Sequence, residues 1–185
     1  MAHVSIHEVI AKLYMKKHKN EIKDEVEFIK GSIAPDLTED LTERLQNIYK
    51  HKTHYGRWSN GETETNIDKF LEDNNVNINE DYWKGYFVHL LTDHYFYNKC
   101  FVKEFEEMKK NKGSFRVDCD YIFKDILNKY NLNLSEYTSK YINIQKGEPQ
   151  YLKLDKIIDF MEQISDMNIQ ENIEIIKQRG MDGLK

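Results

Sequence analysis

With 185 residues, a net charge of −5 and 39% hydrophobic against 32% charged residues, the chain is sized for one domain with a single core. Twelve Tyr, nine Phe and two Trp exclude disorder, because aromatics at that density bury enough area to offset the entropy of ordering. The acidic balance argues against a nucleic-acid-binding stripe: the densest basic runs, Lys16-Lys17-His18-Lys19 and Lys50-His51-Lys52, are short and read as solvated faces.

Periodicity and breakers define the elements. Only two prolines, Pro35 and Pro149, interrupt the chain, which favours helices throughout. A first helix is expected from Ser5 to His18, with Ser5 as N-cap and Glu8 three residues on, the spacing of a capping box. Ile6, Val9, Ile10, Leu13 and Tyr14 give it a buried stripe. A short helix over 22–30 precedes the turn Gly31-Ser32-Ile33-Ala34-Pro35-Asp36, where Pro35 disfavours helical angles at Ala34. Another short helix is expected over 39–49, a loop over 50–61, and a helix over 66–74. The strongest signal runs from about 80 to 110, a long central helix of roughly 45 Å at 1.5 Å per residue. Tyr82, Tyr86, His89, Leu90, Asp93, Phe96 and Tyr97 form one stripe along it. After Asn111-Lys112-Gly113, helices are expected over 117–130, 135–141, 152–161 and 169–178, with irregular chain over 134–150. No strand signal stands out, so the fold expected is all-α, a single-domain multi-helix bundle over 1–185.

Two cysteines, Cys100 and Cys119, make no disulfide framework and read as free thiols. No apolar run reaches transmembrane length, and the apolar stretch near the start is broken by His7 and Glu8, unlike an export signal. A cytoplasmic location is expected.

The chemistry gathers in the central helix. His89 and Asp93, four apart, project about 40° from one another on one face and can share one ion. They lie inside the apolar run GYFVHLLTDHYFY, where an unpaired carboxylate is costly and a cation is one of few compensating partners. A buried histidine hydrogen-bonded to a carboxylate is the competing reading. Gly85, one turn earlier, lets another segment or a ligand approach closely. His94 points about 100° from Asp93 and belongs to packing or to a second layer around the site. Non-helical turns supply further candidates. Asp36 reads as ligand or helix cap, His54 as ligand or surface histidine, and His7 as ligand or solvent-facing residue. His3 is expected in a mobile terminus.

The segments His7, GSIAPD (31–36), KTHYG (52–56) and GYFVHLLTDH (85–94) together resemble the zinc-dependent phospholipase C family, and the same order of motifs is similar to the related secreted single-strand nucleases. The match covers about the first hundred residues. The resemblance implies an all-helical fold with metals held among helices: Asp36, His54, His89 and Asp93 around one ion, with Asp93 bridging to a second ion that His7 also binds. It implies Zn²⁺, one or two ions, with Fe or Mn as alternatives for such a donor set. The family's third site uses histidines and a Glu downstream of the H-x-x-x-D motif, and this chain has no histidine after His94. The expected activity is metal-dependent hydrolysis of a phosphate ester, with a small anionic phosphate ester or a lipid as substrate. Asp36 is the expected catalytic base, and His94, Lys52, Tyr55 and Tyr86 are expected behind the ligands or against substrate. A metal-stabilised helical binding module without catalysis is the alternative.

Overall fold

The computed structural model describes residues 3–37, 52–59 and 62–184, so the helix expected over 39–49 lies outside the described residues. The protein is all-α. Nine α-helices among the described residues surround one contiguous core: α1 (Val4–Lys17), α2 (Glu25–Ile33), α3 (Ile67–Asp73), α4 (Asp81–Tyr95), α5 (Val102–Lys110), α6 (Phe115–Tyr130), α7 (Glu136–Ser139), α8 (Leu154–Asp166) and α9 (Ile169–Arg179). A 3₁₀ turn over Ala34–Asp36 follows α2, and a second closes the described chain over Met181–Gly183. The stretch expected as loop over 50–61 contributes to one small antiparallel hairpin, β1 (Arg57–Ser59) with β2 (Glu62–Glu64), in which Arg57 pairs with Glu64 and Ser59 with Glu62. Three residues a side add a handle to the bundle without a sheet layer.

The start of α1 differs from the capping box. His3 is the N-cap: its Nδ1 lies 3.4 Å from the Ser5 amide and 2.7 Å from Ser5 Oγ, while its Nε2 donates to the Tyr141 carbonyl at 3.0 Å. His3 is therefore tied into the fold, contrary to a mobile terminus. Glu8 is drawn into the interior, where its carboxylate accepts the Ser135 amide at 2.7 Å and its hydroxyl at 2.8 Å and pairs with Lys12 at 2.6 Å. A tertiary partner with two donors outcompetes a local cap.

The long helix expected over 80–110 is interrupted. It is regular to Tyr95, passes through a π-turn over Phe96–Cys100, and resumes as α5 after Phe101 at φ −118°, ψ 27°. The reason is aromatic. On a regular helix, residues five apart diverge by about 140°. The π-turn closes on a Phe101 N–H to Phe96 carbonyl bond of 2.9 Å, and the two rings stack with centroids 4.4 Å apart. Both are completely buried and both meet Phe160 edge-on at 5.5 Å. Burying two large rings in one cluster offsets the irregular turn.

Two glycines decide the packing that matters for function. Gly31 on α2 and Gly85 on α4 face one another across the helix crossing. A Cβ on Gly31 would fall 1.9 Å from the Tyr82 carbonyl oxygen, and one on Gly85 would fall 2.1 Å from the Phe28 carbonyl oxygen. The backbones thus touch, a distance open only to glycine. The helix α2 runs through Gly31 to Ile33, beyond the residue where the sequence alone suggests a turn, and Pro35 is accommodated in the following 3₁₀ turn. Further along, Asp118 on α6 accepts the amides of Gln150, Tyr151 and Leu152 at 2.7–2.8 Å, which holds the irregular stretch before α8 against the core.

Candidate metal centre

Five side chains from four separate segments meet in the interior. His7 comes from the first turn of α1, Asp36 from the 3₁₀ turn after α2, His54 from the turn ahead of the hairpin, and His89 and Asp93 from successive turns of α4. All five side chains are at most 5% exposed. Asp93 is central. Its Oδ2 lies 3.2 Å from His54 Nε2 and 3.8 Å from His89 Nε2, and its Oδ1 lies 3.4 Å from His7 Nε2. Asp36 stands opposite, with Oδ1 at 3.8 Å from His54 Nε2 and 3.9 Å from His89 Nε2, and Oδ2 at 3.8 Å from His7 Nε2. Four atoms around a tetrahedral ion at about 2.0–2.1 Å lie roughly 3.3 Å apart. The separations observed, 3.2–3.9 Å, are compatible with donors around an ion and, at the short end, with direct histidine–carboxylate hydrogen bonds.

His89 Nδ1 donates to the Ser32 carbonyl at 2.8 Å, a bond made available by the close α2–α4 crossing. That leaves the Nε2 lone pair directed inward, where it lies 3.2 Å from His54 Nε2. Burial holds His89 well below the usual imidazole range, with neighbouring His7 acting the same way. His54 Nδ1 is 2.9 Å from Thr53 Oγ1. The rings of His7 and His89 stack at 3.6 Å.

The two carboxyls are not equivalent. Burial, reinforced by the charge of Asp93, pushes Asp36 above the ordinary carboxylate range despite the opposing pull of His7. Burial opposes ionisation of Asp93 too, but the close approach of His54 and His7 outweighs it and holds that carboxyl well below the usual range. Both nitrogens of His7 and Oδ1 of Asp36 are buried with no hydrogen-bond partner of good geometry. Unsatisfied buried polar atoms are expensive; of the three, His7 Nε2 and Asp36 Oδ1 face the cluster and call for a shared partner, whereas His7 Nδ1 lies across the ring from it. Two groupings suited to an ion result, His7–His89–Asp93 and Asp36–His54–His89, each with its donor atoms within 4.8 Å of one another.

Every ligand expected from sequence therefore reaches the cluster. His94 does not: it is buried beside it, with Nδ1 3.3 Å from Asn98 Nδ2 and its ring edge-on to Tyr95. Lys52 is exposed. Tyr86 donates its hydroxyl to the Thr53 carbonyl, and the Tyr55 hydroxyl accepts from Asn74 Nδ2 at 2.9 Å. Thr53 and the Ser32 carbonyl, the partners that orient two of the imidazoles, are not foreseen from sequence. Thr53 adjoins a candidate ligand and carries that much signal, whereas a backbone carbonyl carries none.

Compared with family models, with curated proteins and with solved structures, the chain matches none. Among the described residues, no helix is long and apolar enough to cross a membrane.

Proposed function

We propose that the five-residue cluster binds a transition metal, Zn²⁺ foremost with Fe or Mn as alternatives, and that the protein hydrolyses a phosphate ester there. The observation that carries the reading is the pair of buried atoms without a hydrogen-bond partner, His7 Nε2 and Asp36 Oδ1, among donors 3.2–3.9 Å apart. A cation would also neutralise two aspartates buried in the same cluster. Three imidazoles and two carboxylates suit borderline divalent metals rather than Ca²⁺ or Mg²⁺, which take oxygen donors. Such an ion supplies Lewis acidity, drawing the proton affinity of water toward neutral and polarising a phosphoryl oxygen. Asp36, across the cluster from Asp93, suits the general base, whereas Asp93, with the shorter contacts to His54 and His7, suits the anchoring carboxylate. The motif order that resembles the zinc-dependent phospholipase C family supports a phosphodiester substrate, either a small anionic ester or a lipid.

A second reading, a metal-stabilised binding module without turnover, is favoured by the near-complete burial of all five side chains, since closed sites are typically structural. One experiment separates them. Protein reconstituted with Zn²⁺, Fe²⁺ or Mn²⁺ is assayed with bis(p-nitrophenyl) phosphate, with metal content measured in parallel. Metal with turnover supports the hydrolase, metal without turnover the binding module, and no uptake of any of the three metals removes both.

A further inference from the structure

His54 lies in the turn directly after the helical residues Lys52 and Thr53, and the segment that carries it is held to the rest of the fold at three points. Its backbone carbonyl accepts the Asn66 amide at 3.1 Å. The Tyr55 hydroxyl is bound by Asn74, and Tyr55 itself adopts a left-handed conformation at φ 53°. The Thr53 carbonyl accepts the Tyr86 hydroxyl, and Thr53 Oγ1 meets His54 Nδ1 at 2.9 Å. Tyr86 is itself rigid: its ring stacks on Phe70 at 5.4 Å and is nearly buried one turn before His89 on the same helix.

We infer that Tyr86 and Thr53 are positioning residues for His54, acting as a two-step relay that ties the histidine of a loop to the helix bearing the other ligands. The inference rests on the metal-site reading of the cluster. The relay sets two things. The Tyr86–Thr53 carbonyl bond fixes where the turn stands relative to α4, and therefore the distance of His54 Nε2 from Asp93 and His89. The Thr53 hydroxyl meets His54 Nδ1 and fixes the plane of the ring, which keeps Nε2 directed at the centre. Partners behind a ligating histidine govern its tautomer and ring orientation, and their removal typically weakens metal binding by about 10–100-fold. The side chain of Tyr86 would not touch substrate or ion.

The test uses Co²⁺ as a spectroscopic probe with the wild type, Tyr86→Phe, Thr53→Val, Thr53→Ser and, as control, Tyr82→Phe, whose ring neighbours Tyr86 but whose hydroxyl lies outside the relay. Tyr86→Phe and Thr53→Val are expected to weaken Co²⁺ binding by about 10–100-fold and to lower the intense visible absorption of four-coordinate cobalt. Thr53→Ser restores both, and Tyr82→Phe leaves both unchanged. In metal-free protein, imidazole ¹⁵N spectra should show the His54 signals shifted in Thr53→Val while the His89 signals stay. Wild-type Co²⁺ affinity and band intensity in both relay variants, with His54 signals unmoved, overturn the relay. Should Tyr86→Phe fail to fold, Thr53→Val decides on the same readouts. If the wild type takes up no Co²⁺, the metal-site reading falls, and unmoved His54 signals in the metal-free variants overturn the relay separately.

Discussion

Substituting Gly85 by Ala tests whether the α2–α4 crossing builds the centre. The added Cβ would stand 2.1 Å from the Phe28 carbonyl oxygen and 2.9 Å from the Ser32 amide nitrogen. Ordinary carbon–oxygen contacts begin at about 3.3 Å, and both obstacles are backbone, so no side-chain rotation relieves them. The helices must separate by about 1 Å. That displacement stretches the 2.8 Å bond between His89 Nδ1 and the Ser32 carbonyl toward about 4 Å, beyond hydrogen-bonding range. It also carries Asp36, four residues past Ser32, away from His54 and His89. Overpacking costs about 1–3 kcal/mol and a broken buried hydrogen bond about the same, against about 1 kcal/mol gained in helix propensity. The net loss is about 1–5 kcal/mol, read by urea denaturation, with a fall in melting temperature of roughly 2–20 °C for a chain of this size. Zn²⁺ affinity, measured by chelator competition, should drop at least about tenfold, because two donors lose their placement together. A Gly85→Ala protein as stable as wild type with unchanged Zn²⁺ affinity would refute the argument that this crossing positions the centre.

The same geometry leads to other expectations. Asp93→Asn should lose most bound metal and all metal-dependent hydrolysis, since Asp93 reaches His7, His54 and His89. By contrast, His7→Ala should keep one ion and lose mainly activity, and His94→Ala should keep both; elemental analysis of folded variants checks the three. Burial depresses His3 to about 4, so between that value and the unfolded pKa near 6.5 the unfolded chain binds the extra proton. Stability should therefore fall as pH drops through this window, by up to about 3 kcal/mol from His3, and His3→Gln should show a smaller loss between pH 7 and 4.5 in urea titrations. Asp118→Ala strands three amides of the 150–152 stretch and should cost about 3 kcal/mol or more by the same assay. Burial pushes both thiols up, Cys119 most, so Cys119 should resist a thiol reagent in the folded protein, and two thiols per chain should titrate once it is denatured.

How much of the fold and the centre was legible in the sequence depends on the range of the interaction. Helical periodicity is a local property, so the class of fold and most helices could be read directly; the spans of α6, α8 and α9 fall within a few residues of expectation. The His89–Asp93 pair was readable for the same reason, because four residues on a helix set a fixed angle. Grouping those two with His7, Asp36 and His54 rested on a motif order, since nothing local links residues so far apart in the chain. Tertiary structure alone decided the features that arise from contact between distant segments. It moved the α1 cap from Ser5 to His3 because Glu8 found a better partner in Ser135. It bent the central helix into a π-turn because Phe96 and Phe101 had to share one cluster. It brought α2 and α4 to backbone contact at Gly31 and Gly85, which made the Ser32 carbonyl the partner of His89. Those outcomes depend on which surfaces meet, and sequence spacing does not encode that; once they meet, the unsatisfied Nε2 of His7 and Oδ1 of Asp36 are left facing the same cluster.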